Sequence, residues 1–180
     1  STSEANRGKY LAFTELNSAP MQHLQSLQNA GLTHFHVLPA NDIASIEEAP
    51  SQRVDVTDTV AQLCQRNSNA PVCGVEDNNA VILDVLNSYD PSTTQAQALV
   101  ESMRAFDGFN WGYDPQHFAA PEGSYASNAD GVARIIEMRA MNQALHEIGL
   151  RVVLDVVYNH AASSGLYDNS VLDKVVPGYY

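Results

Sequence analysis

Two short stretches gather the side chains able to do chemistry: Asn110-Trp-Gly-Tyr-Asp-Pro115 and Asp155-Val-Val-Tyr-Asn-His160. In the first, Trp111 and Tyr113 offer flat apolar faces that can lie on the C–H side of a pyranose while their polar edges reach hydroxyls. Gly112 allows a close backbone turn and Pro115 stiffens the exit. A buried aromatic turn would have the same composition. In the second, His160 can donate to a hydroxyl or act as acid or base, as imidazoles do near neutral pH. A histidine bonded to a loop carbonyl is its plainer reading. Asp155, if it points inward, needs a partner, because an unpaired buried charge is costly. No arginine stands near it in sequence, so the partner would come from elsewhere, and an exposed or capping aspartate is the alternative.

Other candidates carry less. His34 and His36 share one strand face and could be half of a metal site, but no further ligands converge. A packed or hydrogen-bonded pair accounts for them better. Cys64 and Cys73 enclose eight residues, which fits neither a Cys-x-x-Cys motif nor a zinc site. A loop of this length can close into a disulfide and would then favour an oxidising compartment; two free thiols are the alternative. There is no serine nucleophile elbow, phosphate loop or zincin motif.

The elements that must position these groups follow from periodicity. Lys9-Tyr-Leu-Ala-Phe13 reads as a short extended segment. Pro20 opens an apolar series, Met21, Leu24 and Leu27, that stops at Gly31, which predicts a helix. Thr33–Leu38 is rich in strand formers and ends at Pro39. Val132, Ile135, Ile136, Met138, Met141, Leu145 and Ile148 recur at helical spacing before Gly149, with Asn128 or Asp130 as N-cap. Arg151–Val157 then reads as a strand covered on both faces. Two helix–Gly–strand units in one direction mean an α/β fold with parallel strands. No glycine-rich turn follows the first strand, which favours a barrel over a dinucleotide-type sheet. Either architecture puts ligands at the C-terminal ends of its strands, here Leu38–Asp42 and Tyr158–His160.

Residues 41–107 differ in character, being polar and carrying both cysteines. Helical patterns run over Val56–Leu63, Ala80–Leu86 and Gln95–Met103. The stretch reads as an insertion packed on the surface rather than as a separate domain, since a bare connection of this length would be abnormal. The whole chain, 180 residues with a formal net charge of −12, is long enough for one good core. Its charge excludes a nucleic-acid partner, which would need clustered Lys and Arg. A neutral sugar is compatible. No apolar run approaches the roughly 20 residues of a membrane span, and no signal peptide is recognisable at Ser1.

Asp155–His160 resembles the first conserved region of the α-amylase family of glycoside hydrolases, at the end of the third strand of a (β/α)8 barrel. Asn110–Pro115 resembles the block typical of type I pullulanases, which usually have Tyr where Phe109 stands. Pro121-Glu-Gly-Ser-Tyr-Ala126 and Ser170–Tyr180 are similar to the same debranching subgroup, limit dextrinases included. The resemblance implies a partial (β/α)8 (TIM) barrel, roughly its first three strands, with an inserted surface segment after the second. Residues 1–180 would be the N-terminal part of the catalytic barrel and 41–107 the insertion.

By the same resemblance, Tyr113 stacks on the sugar just before the cleaved bond, and His160 bonds that sugar's primary hydroxyl. Asp155 orients the nucleophilic carboxylate through a later arginine. Trp111 and Asp114 shape the pocket and Asn110 holds the turn. Asn159 matches a position that binds structural calcium in many α-amylases; no cofactor is needed for the chemistry. Family members hydrolyse with retention, using two carboxylates roughly 5–5.5 Å apart. Those come from later strands, and such a barrel needs about 250 residues. The expectation is therefore a fragment, inactive alone, of an extracellular, cell-surface or periplasmic bacterial enzyme that cleaves α-1,6 bonds in an α-glucan. Its partners would be the glucan and the rest of the same polypeptide. A non-catalytic glucan-binding module, a neopullulanase and a branching enzyme are the alternatives.

Overall fold

The computed structural model describes residues 1–167 and 170–178. The last two residues of the Ser170–Tyr180 block lie outside them. The chain folds as two compact units, Ser1–Ala44 with Trp111–Tyr180, and Ser45–Asn110.

In the first unit, helix α1 (Ala19–Asn29) carries Pro20 in its first turn and is followed by Gly31 at φ 109°, a backbone angle that favours glycine. Strand β1 (His34–Val37) follows after Leu32 and Thr33. Helix α5 (Ala133–Glu147) reaches strand β4 (Arg151–Leu154) through Gly149, φ 85°. The two strands pair in parallel, His34 opposite Arg151 through Val37 opposite Leu154. The α/β reading of the sequence is thus realised. Tyr10, Met141, Leu145 and Leu150 are buried together, with Phe35, Val37 and Val152 packed on them.

Four expectations change in this unit. Tyr10–Thr14 is a 3-10 helix rather than an extended segment, its turn closed by the Thr14 hydroxyl on the Leu11 carbonyl. The parallel sheet of the described residues therefore has two strands, not three. Strand β4 ends at Leu154 and is not covered on both faces: His34, His36, Arg151 and Val153 are exposed while Phe35, Val37, Val152 and Leu154 are half-buried. Helix α5 begins after Val132 with no side-chain cap, Asn128 instead accepting the Asp130 N–H in the preceding turn. Its inward face is Glu137, Met141, Ala144 and Leu145, and Val132, Ile135 and Ile136 are exposed.

A second ribbon was not legible in the sequence. Strand β2 (Asn41–Ile43) pairs antiparallel with β3 (Pro115–Pro121), with register shifts on both sides of Asp42. Prolines at both ends of β3 mask it, because proline sits only where a ladder N–H is not needed.

The Ser45–Asn110 unit has its own core of Val54, Val60, Leu63, Val72, Ile82 and Leu99. It thus has the makings of a domain, where the sequence suggested helices on a surface. Its helices are α2 (Val60–Arg66), α3 (Ile82–Ser88) and α4 (Gln95–Met103). Thr59 and Gln62 form a reciprocal capping box at the start of α2, satisfying backbone donors that the helix leaves unpaired. The anticipated Cys64–Cys73 disulfide is present. It ties α2 to the turn carrying Val72. Replacing both cysteines by alanine should lower the stability of this unit by about 2–3 kcal/mol, read from urea-dependent hydrogen exchange at the Leu63 and Ile82 amides. An unchanged value would mean that the apolar core alone fixes the loop.

Candidate functional site

Asp155 lies at the C-terminal end of the parallel pair, where its N–H donates to the Val37 carbonyl at 3.0 Å and extends the ladder by one residue. Chain polarity thus sets its half-buried carboxyl beside the Leu38–Ala40 exit of β1. The Trp111–Tyr113 turn approaches that same exit. Gly112 has φ +81°, and a β-carbon there would lie 2.3 Å from the Pro39 carbonyl oxygen. Only glycine satisfies both the angle and the space. The turn delivers the Tyr113 hydroxyl to Asp155 Oδ2, a donated bond of 2.7 Å. His160 closes the cluster from the other stretch, its Nε2 2.9 Å from the Tyr113 carbonyl oxygen. A carbonyl only accepts, so Nε2 carries the proton. Two residues further on in each stretch, the Ala162 N–H donates to the Pro115 carbonyl at 3.1 Å.

The structure therefore brings Tyr113, Asp155 and His160 together, although they are 42 and 47 positions apart in the two bonds. Asp155 has found a phenol as its partner. That bond, first, and the nearby carboxylate charge raise the Tyr113 phenol above its ordinary pKa, because both favour the protonated form. Tyr113 remains 43% exposed and Trp111 65% exposed, so aromatic surface is available to a ligand. Asp114 beside them is exposed, and its carbonyl accepts the Ala44 N–H at 2.9 Å. Tyr158 is exposed as well and meets Phe118 edge to face, with centroids 5.4 Å apart.

Asn159 is exposed. Calcium takes about six to eight oxygen ligands. Among the described residues no trio of His, Cys, Asp or Glu side chains gathers at Asn159. His34 and His36 stand on the exposed face of β1, and His34 Nδ1 is 2.8 Å from the Thr33 hydroxyl.

Sequence reasoning missed the groups that brace the site from beneath. Glu122 is fully buried, and its two carboxylate oxygens accept the Ile43 N–H at 2.8 Å and the Ser124 N–H at 2.7 Å. Tyr10 shares its hydroxyl between the Ala40 and Glu122 carbonyls at 3.2 and 3.1 Å. Burial, with the Glu122 charge behind it, pushes the Tyr10 phenol well above its ordinary pKa. Arg134 from α5 donates to Asp42 Oδ1 at 3.0 Å and to the Pro121 carbonyl at 3.2 Å; His117 contacts the other Asp42 oxygen. Position signalled Asp42, since it follows a strand end. Glu122 falls in the Pro121–Ala126 block and caps the Gly123–Tyr125 turn, but nothing local signals its bond to Ile43 or that of Arg134 to Asp42.

Residues 43–109 match the family described as the Pullulanase Ins domain. Over 97% of its length the chain is 44% identical to pullulanase 1, chloroplastic, of Arabidopsis thaliana and 40% identical to a pullulanase of Klebsiella pneumoniae. It spans 16–17% of the length of these curated relatives. Among solved structures, the Klebsiella pneumoniae pullulanase complexed with maltotriose superposes with a TM-score of 0.83 at 40% identity, covering 99% of this chain and 18% of that one.

The Tyr113–Asp155 bond has a titration consequence. A raised folded-state pKa means that the bond's contribution is complete below the phenol's unfolded pKa and is lost as pH rises through the folded value, in the alkaline range. Asp155→Asn should return the Tyr113 phenol toward the ordinary value of about 10, followed by ring-carbon NMR. A Tyr113 titration indifferent to Asp155→Asn would show that the two groups do not meet in solution. Gly112→Ala should destabilise the first unit by at least about 1–3 kcal/mol, measured by urea unfolding; a neutral result would contradict the close approach to Pro39.

Proposed function

Because this chain is homologous to the pullulanases along nearly its whole length, we propose that it supplies one wall of the substrate site of a starch-debranching glycoside hydrolase. The observation that carries this reading is the Tyr113–Asp155–His160 cluster at the C-terminal end of two parallel strands, where α/β proteins bind ligands. The Tyr113 ring would stack on one glucose of an α-glucan, its tilt fixed by the bond from its hydroxyl to Asp155. With Nε2 held by the Tyr113 carbonyl, His160 would offer Nδ1 to a sugar hydroxyl. Trp111 and Asp114 would border the same ring. The maltotriose complex of the Klebsiella pneumoniae pullulanase supports an oligoglucoside as ligand class.

Hydrolysis of α-1,6 bonds with retention requires a nucleophilic carboxylate and a carboxylic acid that protonates the leaving oxygen and then activates water. Both would come from further strands of a longer polypeptide, the α1–β1 and α5–β4 units being two repeats of a (β/α)8 barrel. Within it Asp155 would orient a later arginine and, through it, the nucleophile. Calcium at Asn159 would draw its other ligands from outside the described residues. The Cys64–Cys73 disulfide favours an oxidising location, extracellular, cell-surface or periplasmic. No helix among the described residues is long and apolar enough to cross a membrane.

The test uses the longer polypeptide carrying this segment, assayed on pullulan. Tyr113→Ala and His160→Asn should each lower kcat/KM about ten- to hundred-fold, as loss of transition-state contacts does. The 180-residue chain alone should show no turnover. Wild-type kinetics in both variants would remove the proposed roles. Maltotriose binding by the longer polypeptide without hydrolysis would make it a binding module instead.

A further inference from the structure

The Ser45–Asn110 unit holds a cleft of about 480 Å³ that the proposed catalytic role does not use. That volume is within the range of small-ligand sites. Met103, 2% exposed, is its floor, and Val56, Val100 and the ring of Phe109 are exposed around it. Phe109 is 74% exposed, a flat face presented outward rather than spent on the core. Two carboxylates, Asp55 and Asp107, stand among the lining residues. Asp55 Oδ1 accepts the Gly108 N–H at 2.9 Å, and Asp107 bonds the Phe109 backbone. The acids therefore hold the backbone on which Phe109 is mounted.

The chemistry of the lining selects the ligand class. Burial raises the Asp107 carboxyl above its ordinary pKa, with the Asp55 charge adding to the shift, while Arg104 and Arg53 oppose it. Arg104 is paired with Glu101 at 3.8 Å, and Arg53 is anchored at Gly108, where its side chain occupies the place of a β-carbon, with its guanidinium on the Glu47 carbonyl. The charged side chains lining the cleft are the carboxylates Asp55 and Asp107, which disfavours an anion, and each already accepts a backbone N–H while keeping lone pairs for a further donor. A neutral ligand with one apolar face and several hydroxyl donors fits all the parts. Its C–H face would lie on Phe109 and Val100, and its hydroxyls would donate to the carboxylates.

We infer that this cleft is a second carbohydrate-binding site, separate from the Tyr113–His160 cluster, taking one sugar ring against Phe109. That the sugar is an α-glucan rests on the function proposed above; that it is a neutral sugar does not. Such a site would hold a polymer on the protein without taking part in bond cleavage.

The experiment titrates the isotope-labelled 180-residue chain with maltotriose and follows backbone amide shifts. Saturable shifts at Thr57, Val100 and Gly108 are expected. Phe109→Ala and Val100→Arg, both at exposed positions, should each weaken those shifts about ten-fold, the scale of one aromatic or apolar contact. Tyr113→Ala should leave them unchanged, which separates the two sites. Shifts confined to Trp111–Tyr113 and His160 would overturn the second site and leave the proposed function standing. Shifts at the cleft with cellotriose but not maltotriose would keep a sugar site and remove the α-glucan. Shifts there with an alkylammonium ion alone, or with none of these probes, would overturn the inference.

Discussion

No side chain fits at position 112. A β-carbon would lie 2.3 Å from the Pro39 carbonyl oxygen, on a backbone already at φ +81°. This close approach brings the 111–115 turn against the end of β1. It places the Tyr113 hydroxyl within hydrogen-bond distance of Asp155, and it leaves the Tyr113 carbonyl where His160 can reach it. The polar contacts of the site thus follow from a steric condition. A looser turn would hold a tyrosine, but not this tyrosine on this carboxylate. Asp155 is placed independently, by the parallel ladder that its N–H extends to Val37. The aromatic turn meets a rigid strand end, and preorganised surfaces of this kind bind with less entropic loss than mobile ones.

Beneath the turn, the β2–β3 ribbon is irregular in register and cannot rely on a clean ladder. Polar side chains take over. The Glu122 carboxylate, the Tyr10 hydroxyl and the Arg134 guanidinium satisfy backbone groups that the broken pairing strands. Burying a carboxylate is costly unless every lone pair has a donor, and here each oxygen of Glu122 has one. The same bonds tie the ribbon to the 3-10 helix of Tyr10 and to α5. The site is thus coupled to the core through hydrogen bonds as well as through the apolar cluster that includes Tyr10 and Ala40.

What the sequence disclosed, and what it hid, follows from the range of the interactions. Helix α1, with Pro20 in its first turn and Gly31 after it, and helix α4, Gln95–Met103, were readable because their signals lie within one or two turns. The β-branched run that becomes β4 was readable for the same reason. Its partial exposure was not, since branched residues fit a strand whether one face or both are covered. Val132, Ile135 and Ile136 have helical spacing yet point outward, while Glu137 is turned in, bonded to Ser127. Tyr113, Asp155 and His160 stood out by residue type and by strand-end position. Glu122 and Arg134 did not, because the bonds that tie them to the site run to Ile43 and Asp42, 79 and 92 residues away, while their nearer bonds, to Ser124 and Pro121, serve only the local turn. The 3-10 turn at Tyr10–Thr14 was hidden because its residues are good strand formers, overridden by the burial of Tyr10.

The central claim is that a glycine-pinned turn and a strand-end histidine form one sugar-binding surface. A crystal structure of the chain with bound maltotriose tests it most directly. The account predicts a glucose ring in van der Waals contact with the Tyr113 face, with the tyrosine hydroxyl still on Asp155 and a sugar hydroxyl on His160 Nδ1. A structure in which Tyr113 has left Asp155, or in which every glucose ring avoids Tyr113, would contradict it.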